Sequence, residues 1–133
     1  MLTAEDVMTS EVLSVKKDTP VREAIDLMLI NQIAGLPVVA DDMSLLGIIT
    51  EKDILKLYKS PAEGQSQTVE DYMTIPAIHF EMDERFEDIC ECLICNDFRR
   101  VPVVSNDKLV GLVSRPDVAV HILDLITQAA THK

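Results

Sequence analysis

The chain has 133 residues, 47% of them hydrophobic and 26% charged, with few aromatics (4%) and no tryptophan. That length holds one domain or two tightly joined halves, with a core of Val, Ile, Leu and Met. The net charge of −11, from 12 basic and 23 acidic residues, comes with no Lys/Arg cluster. Nucleic acid and anionic membranes are therefore not expected as partners.

No apolar run is long enough to span a bilayer, and the polar opening Met1–Asp6 does not read as a signal peptide. Cysteine is odd in number and confined to Cys90, Cys92 and Cys95, which speaks against a disulfide framework and for a reducing cytoplasm.

Taken in order, the first element is a short helix opened by a capping box, Thr3 with Asp6. Val12–Val15 alternates and predicts a strand. Thr19 is the expected N-cap of a helix that starts at Pro20 and runs to about Asn31, with Val21, Ala24, Ile25 and Met28 at helical spacing. Gly35 stands where a helix C-cap would be, and Pro37 forbids continuation. Pro37–Ala40 and Leu45–Ile49 read as strands joined by the polar turn Asp41–Ser44, the proline suggesting an edge or entry position. A helix from Glu51 to about Tyr58 follows, then a linker, Lys59–Gln67, containing Pro, Gly, Ser and Gln.

The same order then repeats. Glu70-Asp71-Tyr72-Met73-Thr74 matches Glu5-Asp6-Val7-Met8-Thr9, and Val101-Pro102-Val103-Val104 matches Leu36-Pro37-Val38-Val39. The pair Thr68 and Asp71 repeats the first capping box, and Asn96 meets Asn31. Gly111-Leu112-Val113-Ser114-Arg115-Pro116-Asp117 answers Gly47-Ile48-Ile49-Thr50-Glu51-Lys52-Asp53. The second copy predicts a strand at 77–80, a helix from about Glu84 to Asp97, strands Pro102–Ser105 and Leu109–Val113, and a last helix from Arg115 to about Ala129. The chain is a tandem duplication, with repeats at 1–58 and 68–133 and a linker at 59–67. Units this small bury only about 60% of their surface and are marginal alone, so the two are expected to form one module. Surplus apolar surface on helices 20–31, 84–97 and the last helix predicts a homodimer.

Glycine, two aliphatics, a hydroxyl and a later carboxylate mark a strand end, a turn and a helix start. That junction suits a capping box, and also an anion, because the first backbone N–H groups of a helix have no partner within it. The second copy is the better phosphate site: Arg115 follows its hydroxyl and Arg99-Arg100 precede Val101-Pro102, where the first copy has Glu51 and Ala34-Gly35. The cysteines fall on positions that are apolar in the first copy (Ile25, Leu27, Ile30) and read as core. His79, His121 and His132 lie in no catalytic pattern, and no nucleophile elbow, P-loop or dinucleotide fingerprint occurs, so no enzyme activity is expected.

These motifs (V-M-T, φ-P-V-V and G-φ-φ-[ST]-x-x-D, in order, twice) resemble a pair of CBS domains, the module named after cystathionine β-synthase, over about residues 3–128. The resemblance implies an α+β fold, a tandem pair of βαββα repeats about a pseudo-twofold axis, each preceded by a short helix. It further implies a non-catalytic regulatory module binding AMP, ADP, ATP or S-adenosylmethionine in clefts between the repeats, with no required cofactor or metal. Carried over, the ligand-binding residues are Thr50 and Asp53 with Val12 and Leu36, and Ser114 and Asp117 with Ala77, Ile78, Val101 and Pro102. Arg100 and Arg115 would hold phosphate. The alternative is a ligand-free protein–protein interaction module acting on an unidentified target.

Overall fold

A computed structural model of the chain describes residues 1–131, and His132 lies outside the described residues. The elements are α1 (Ala4–Val7), β1 (Val15–Lys16), α2 (Val21–Asn31), β2 (Gly35–Val39), β3 (Leu45–Thr50), α3 (Glu51–Ile54), β4 (Phe80–Glu81), α4 (Phe86–Cys95), β5 (Arg100–Ser105), β6 (Lys108–Ser114) and α5 (Arg115–Thr131). Single 3-10 turns at Leu55–Lys59, Pro61–Gln65 and Val69–Asp71 connect α3 to the second copy. The fold is the mixed α+β type expected of the duplication.

The two sheets share one plan, β1-β2-β3 and β4-β5-β6. In the first, β1 runs parallel to β2 (Val15 opposite Val38), and β2 is antiparallel to β3 (Pro37 opposite Ile48). In the second, β4 runs parallel to β5, with Phe80 opposite Val103. Pro37 is therefore the third residue of a central strand that begins at Gly35, neither at an edge nor at the strand's entry as expected. On the β1 side, pairing begins only at Val38, so nothing is asked there of the N–H that proline lacks.

Two compact units result. The Asp53 unit takes Leu13–Ala77 with Asp107–Leu109; the Asp117 unit takes Met1–Val12, Ile78–Asn106 and the described chain from Val110 on. Each has its own core. Val21, Leu36, Val38, Ile49 and Val69 are fully buried in the first, and Ile89, Val101, Val103 and Val113 in the second. At about 25 cal/mol per Å² of apolar surface removed from water, each such side chain contributes about 1.5–3 kcal/mol.

Several expectations shift in the structure. The strands expected at Val12–Val15 and 77–80 are two-residue pieces, Val15–Lys16 and Phe80–Glu81, because the parallel ladder exists only opposite Val38-Val39 and Val103-Val104. Thr19 does not cap α2. Its hydroxyl accepts from Lys16 N at 3.0 Å and closes the preceding turn, leaving Pro20 at the cap. Gly35 is not a C-cap, since Gln32 takes the left-handed position (φ 54°). Gly35 instead opens β2, where a Cβ would stand 3.0 Å from Ile49 O. The helix expected over 51–58 is one α-turn followed by a 3-10 turn, and the last helix runs on to Thr131. The capping boxes at Thr3/Asp6 and Thr68/Asp71 form as the spacing predicts, the second on a 3-10 turn.

Cys90 and Cys92 lie half-buried against the core of the Asp117 unit, and Cys95 is exposed. Burial, reinforced by Glu87 and Glu91, pushes the Cys90 thiol above its ordinary pKa.

Candidate functional site

Each unit builds the same junction from distant pieces of chain. In the Asp53 unit, β3 ends at Thr50 and α3 begins at Glu51. The second opening motif crosses β3: Thr74 N donates to Ile48 O at 2.8 Å and Ile48 N to Thr74 O at 3.0 Å. In the Asp117 unit, the first opening motif crosses β6: Thr9 N donates to Leu112 O at 2.8 Å and Leu112 N to Thr9 O at 2.9 Å.

This crossing explains the motif glycines. A Cβ on Gly47 would lie 2.6 Å from Thr74 O and 2.6 Å from Ile75 Cγ2. A Cβ on Gly111 would lie 2.5 Å from Met8 Sδ and 3.0 Å from Thr9 O. Only a residue without a side chain lets the opening motif lie so close.

The threonines of the opening motifs reach the motif carboxylates, a pairing that the sequence reading missed. Asp53 is 6% exposed, the one buried charged residue among those described. Its Oδ2 accepts from Thr50 N (2.9 Å) and Thr50 Oγ1 (3.1 Å), and its Oδ1 accepts from Thr74 Oγ1 (2.9 Å). Lys56 Nζ stands 4.0 Å from Oδ1, and Asp53 N donates back to Thr50 Oγ1 at 3.4 Å. The first junction is thus a complete capping box with a further hydroxyl and a cation on its carboxylate.

Asp117 is half-buried. Its Oδ2 accepts from Ser114 N (2.8 Å) and its Oδ1 from Thr9 Oγ1, at a longer 3.3 Å. Ser114 Oγ accepts from Asp117 N at 3.2 Å, and its own proton finds no acceptor among the described residues. No cation pairs with Asp117 among them either. Arg99 and Arg100 are exposed. Arg115 is exposed too, but its guanidinium donates to Asn96 O at 3.1 Å, at the C-terminal end of α4, and its N–H donates to Arg99 O.

The units divide the expected ligand residues. Thr50, Asp53, Leu36 and Ala77 belong to the Asp53 unit; Ser114, Arg115, Asp117, Arg100, Val101, Pro102, Ile78 and Val12 belong to the other. Leu36 and Val101 point into the two cores and are at most 1% exposed, so their backbones alone are available to a ligand. Ala77 is 8% exposed, whereas Ile78 is 52% exposed. Among the described residues no group of His, Cys, Asp and Glu could hold a metal ion, and no helix is long and apolar enough to cross a membrane.

A sequence model of the CBS domain matches residues 4–60 and again 69–124. The chain belongs to the CBS domain family. It is 31% identical over 112 residues to MJ1225 of Methanocaldococcus jannaschii, which covers 84% of this chain. It spans part of such relatives: 40% of MJ1225, and 22% of an inosine-5'-monophosphate dehydrogenase from the same organism, to which it is 32% identical over 86% of its own length. Among solved structures it is similar to CBSX2 in complex with AMP, the CBS-pair protein of Arabidopsis thaliana. The TM-score is 0.82 at 29% identity, covering 94% of this chain and 98% of CBSX2. This CBS pair carries its [VY]-M-T, P-V-V and G-φ-φ-[ST]-x-x-D residues at the crossing segments, the central strands and the junctions.

Proposed function

We propose that this CBS pair is a non-catalytic regulatory module that binds an adenosine-containing ligand at the Gly111–Asp117 junction. The single observation that carries the reading is the difference between the junctions. At the first, Asp53 is buried and its oxygens are taken by Thr50, Thr74 and Lys56; at the second, Asp117 is half-exposed and the Ser114 proton is undirected. Asp117 would accept from ribose hydroxyls, and the Ser114 hydroxyl would donate to phosphate, since the N–H groups of Arg115 and Asp117 are taken and Pro116 has none. Arg100 and Arg115 would supply the charge, Arg115 by leaving Asn96 O. Ile78, Pro102 and the Val101 backbone would enclose the base. Thr50 and Asp53, with the Leu36 backbone, form the second and weaker candidate set. The AMP complex of CBSX2 supports the ligand class. AMP, ADP and ATP suit the arginines better than S-adenosylmethionine, whose sulfonium is positive. The ligand acts as an effector, not a required cofactor, in a reducing, cytoplasmic setting.

Isothermal titration calorimetry with AMP, ATP and S-adenosylmethionine tests this. Heat from AMP or ATP, lost in Asp117→Ala with the fold retained, is expected. A folded protein that gives no heat with any of them refutes it.

A second reading is favoured by one observation: α5 has no buried residue, and Val120 (60% exposed), Leu123 (63%) and Ile126 (61%) recur on it at three-residue spacing. This is apolar surface suited to a homodimer or a protein target, and each unit exposes more: Leu29 and Ile30 of α2 in one, Ile94 of α4 in the other, all at least 70% exposed. Dimerisation is compatible with ligand binding and would convert occupancy into a change of assembly.

A further inference from the structure

We infer that Thr9 competes with the ligand for Asp117: its hydroxyl holds the carboxylate oxygen that a vicinal diol would need, and so sets the threshold concentration of the site. The inference rests on the reading that Asp117 receives such a diol.

The geometry favours displacement at one junction and resists it at the other. Thr74 donates to Asp53 at 2.9 Å, onto a carboxylate 6% exposed and further held by Thr50 Oγ1 and Lys56. Thr9 donates to Asp117 at 3.3 Å, onto a half-exposed carboxylate with no cation and no Ser114 proton on it. Short bonds to a buried charge are the strong ones, and a long bond at a wet carboxylate is readily exchanged for another donor. Thr9 is itself exposed and is anchored through its backbone to Leu112, so its hydroxyl can turn away without moving the chain. A ligand hydroxyl that takes the Thr9 position on Oδ1 gives up the worth of that one hydrogen bond from its binding energy.

Calorimetry with AMP and ATP on the full chain reads this directly. Thr9→Val removes the competing donor and should tighten binding about 2- to 12-fold, the worth of one hydrogen bond. Thr9→Ser keeps the hydroxyl and should bind as the wild type does. Thr74→Val acts on the weaker candidate site and should tighten binding less than Thr9→Val does; an equal or larger gain also overturns the inference. Unchanged or weaker binding by a folded Thr9→Val protein overturns the inference while leaving the nucleotide reading intact. Absence of binding by the wild type removes both.

Discussion

Replacing Gly47 by alanine tests whether the crossing of β3 by the opening motif is structural. The new Cβ would stand 2.6 Å from Thr74 O, a backbone atom, and 2.6 Å from Ile75 Cγ2. Relief requires the Thr74 segment to lift from β3, which strains the exchange of hydrogen bonds between Ile48 and Thr74. Overpacking costs about 1–3 kcal/mol and a lost backbone bond about 0.5–1.5. Alanine recovers about 0.4–1 kcal/mol by stiffening the unfolded chain. The net expectation is a loss of about 2–3 kcal/mol, equivalent to about 8–12 °C in melting temperature for a chain of this size. Gly111→Ala is the internal control. Its nearest obstacles are Met8 Sδ at 2.5 Å and Met8 Cγ at 2.9 Å, both in a side chain that can change rotamer, and Thr9 O at 3.0 Å has to give by only a few tenths of an ångström. That variant should lose no more than about 1 kcal/mol. Urea denaturation of both, with m-values compared, measures the difference. Equal losses, or a larger loss for Gly111→Ala, would refute the reasoning.

Asp53→Ala should destabilise by about 2–3 kcal/mol and Asp117→Ala by about 1, since the first orphans the hydroxyls of Thr50 and Thr74 beside a buried site and the second removes a wetter cap; thermal melts without ligand compare them. Ile49→Ala and Ile89→Ala each empty a fully buried position, one in each core, and should cost about 2–5 kcal/mol by urea denaturation. Leu123→Glu on the exposed face of α5 should shift a dimer toward monomer in sedimentation velocity while the circular dichroism spectrum is kept. In alkylation at pH 8 followed by mass spectrometry, exposed Cys95 should react first and Cys90 last. Its raised pKa leaves less thiolate, and the gap should narrow as pH rises through that pKa.

The duplication and the elements were legible because their signals are local. Capping boxes three residues apart, Pro-Val-Val runs and apolar spacing each speak for themselves, and all four [ST]-x-x-D boxes on which the reading leaned are formed. Errors arose where one residue had two available partners. Thr19 has the chemistry of an N-cap, but Lys16 N lies within its reach and took its hydroxyl. Gly35 sits near a helix end, yet Gln32 made the left-handed turn and the glycine went to a close approach in the strand instead. The bonds from Thr9 to Asp117 and from Thr74 to Asp53 were not legible, because 108 and 21 residues separate the partners. The signal that could have found them was the joint repetition of Met-Thr in the opening motifs and of a glycine within the third strand of each sheet: a threonine repeated beside a space-making glycine implies that something passes over it.

The makeup of the two compact units bears on how such a chain could have arisen. Residues 1–12 complete the unit built mostly from the second repeat, while Thr68–Ala77 complete the unit built mostly from the first. Cutting the linker would therefore leave two fragments, each holding the other's missing piece: separately incomplete, and mutually complementary when mixed. A single-repeat ancestor would have faced the same shortage and met it with the opening segment of a second copy, a reciprocal exchange. Gene fusion would then have put both exchanged segments into one polypeptide, where completing each unit no longer depends on encounter.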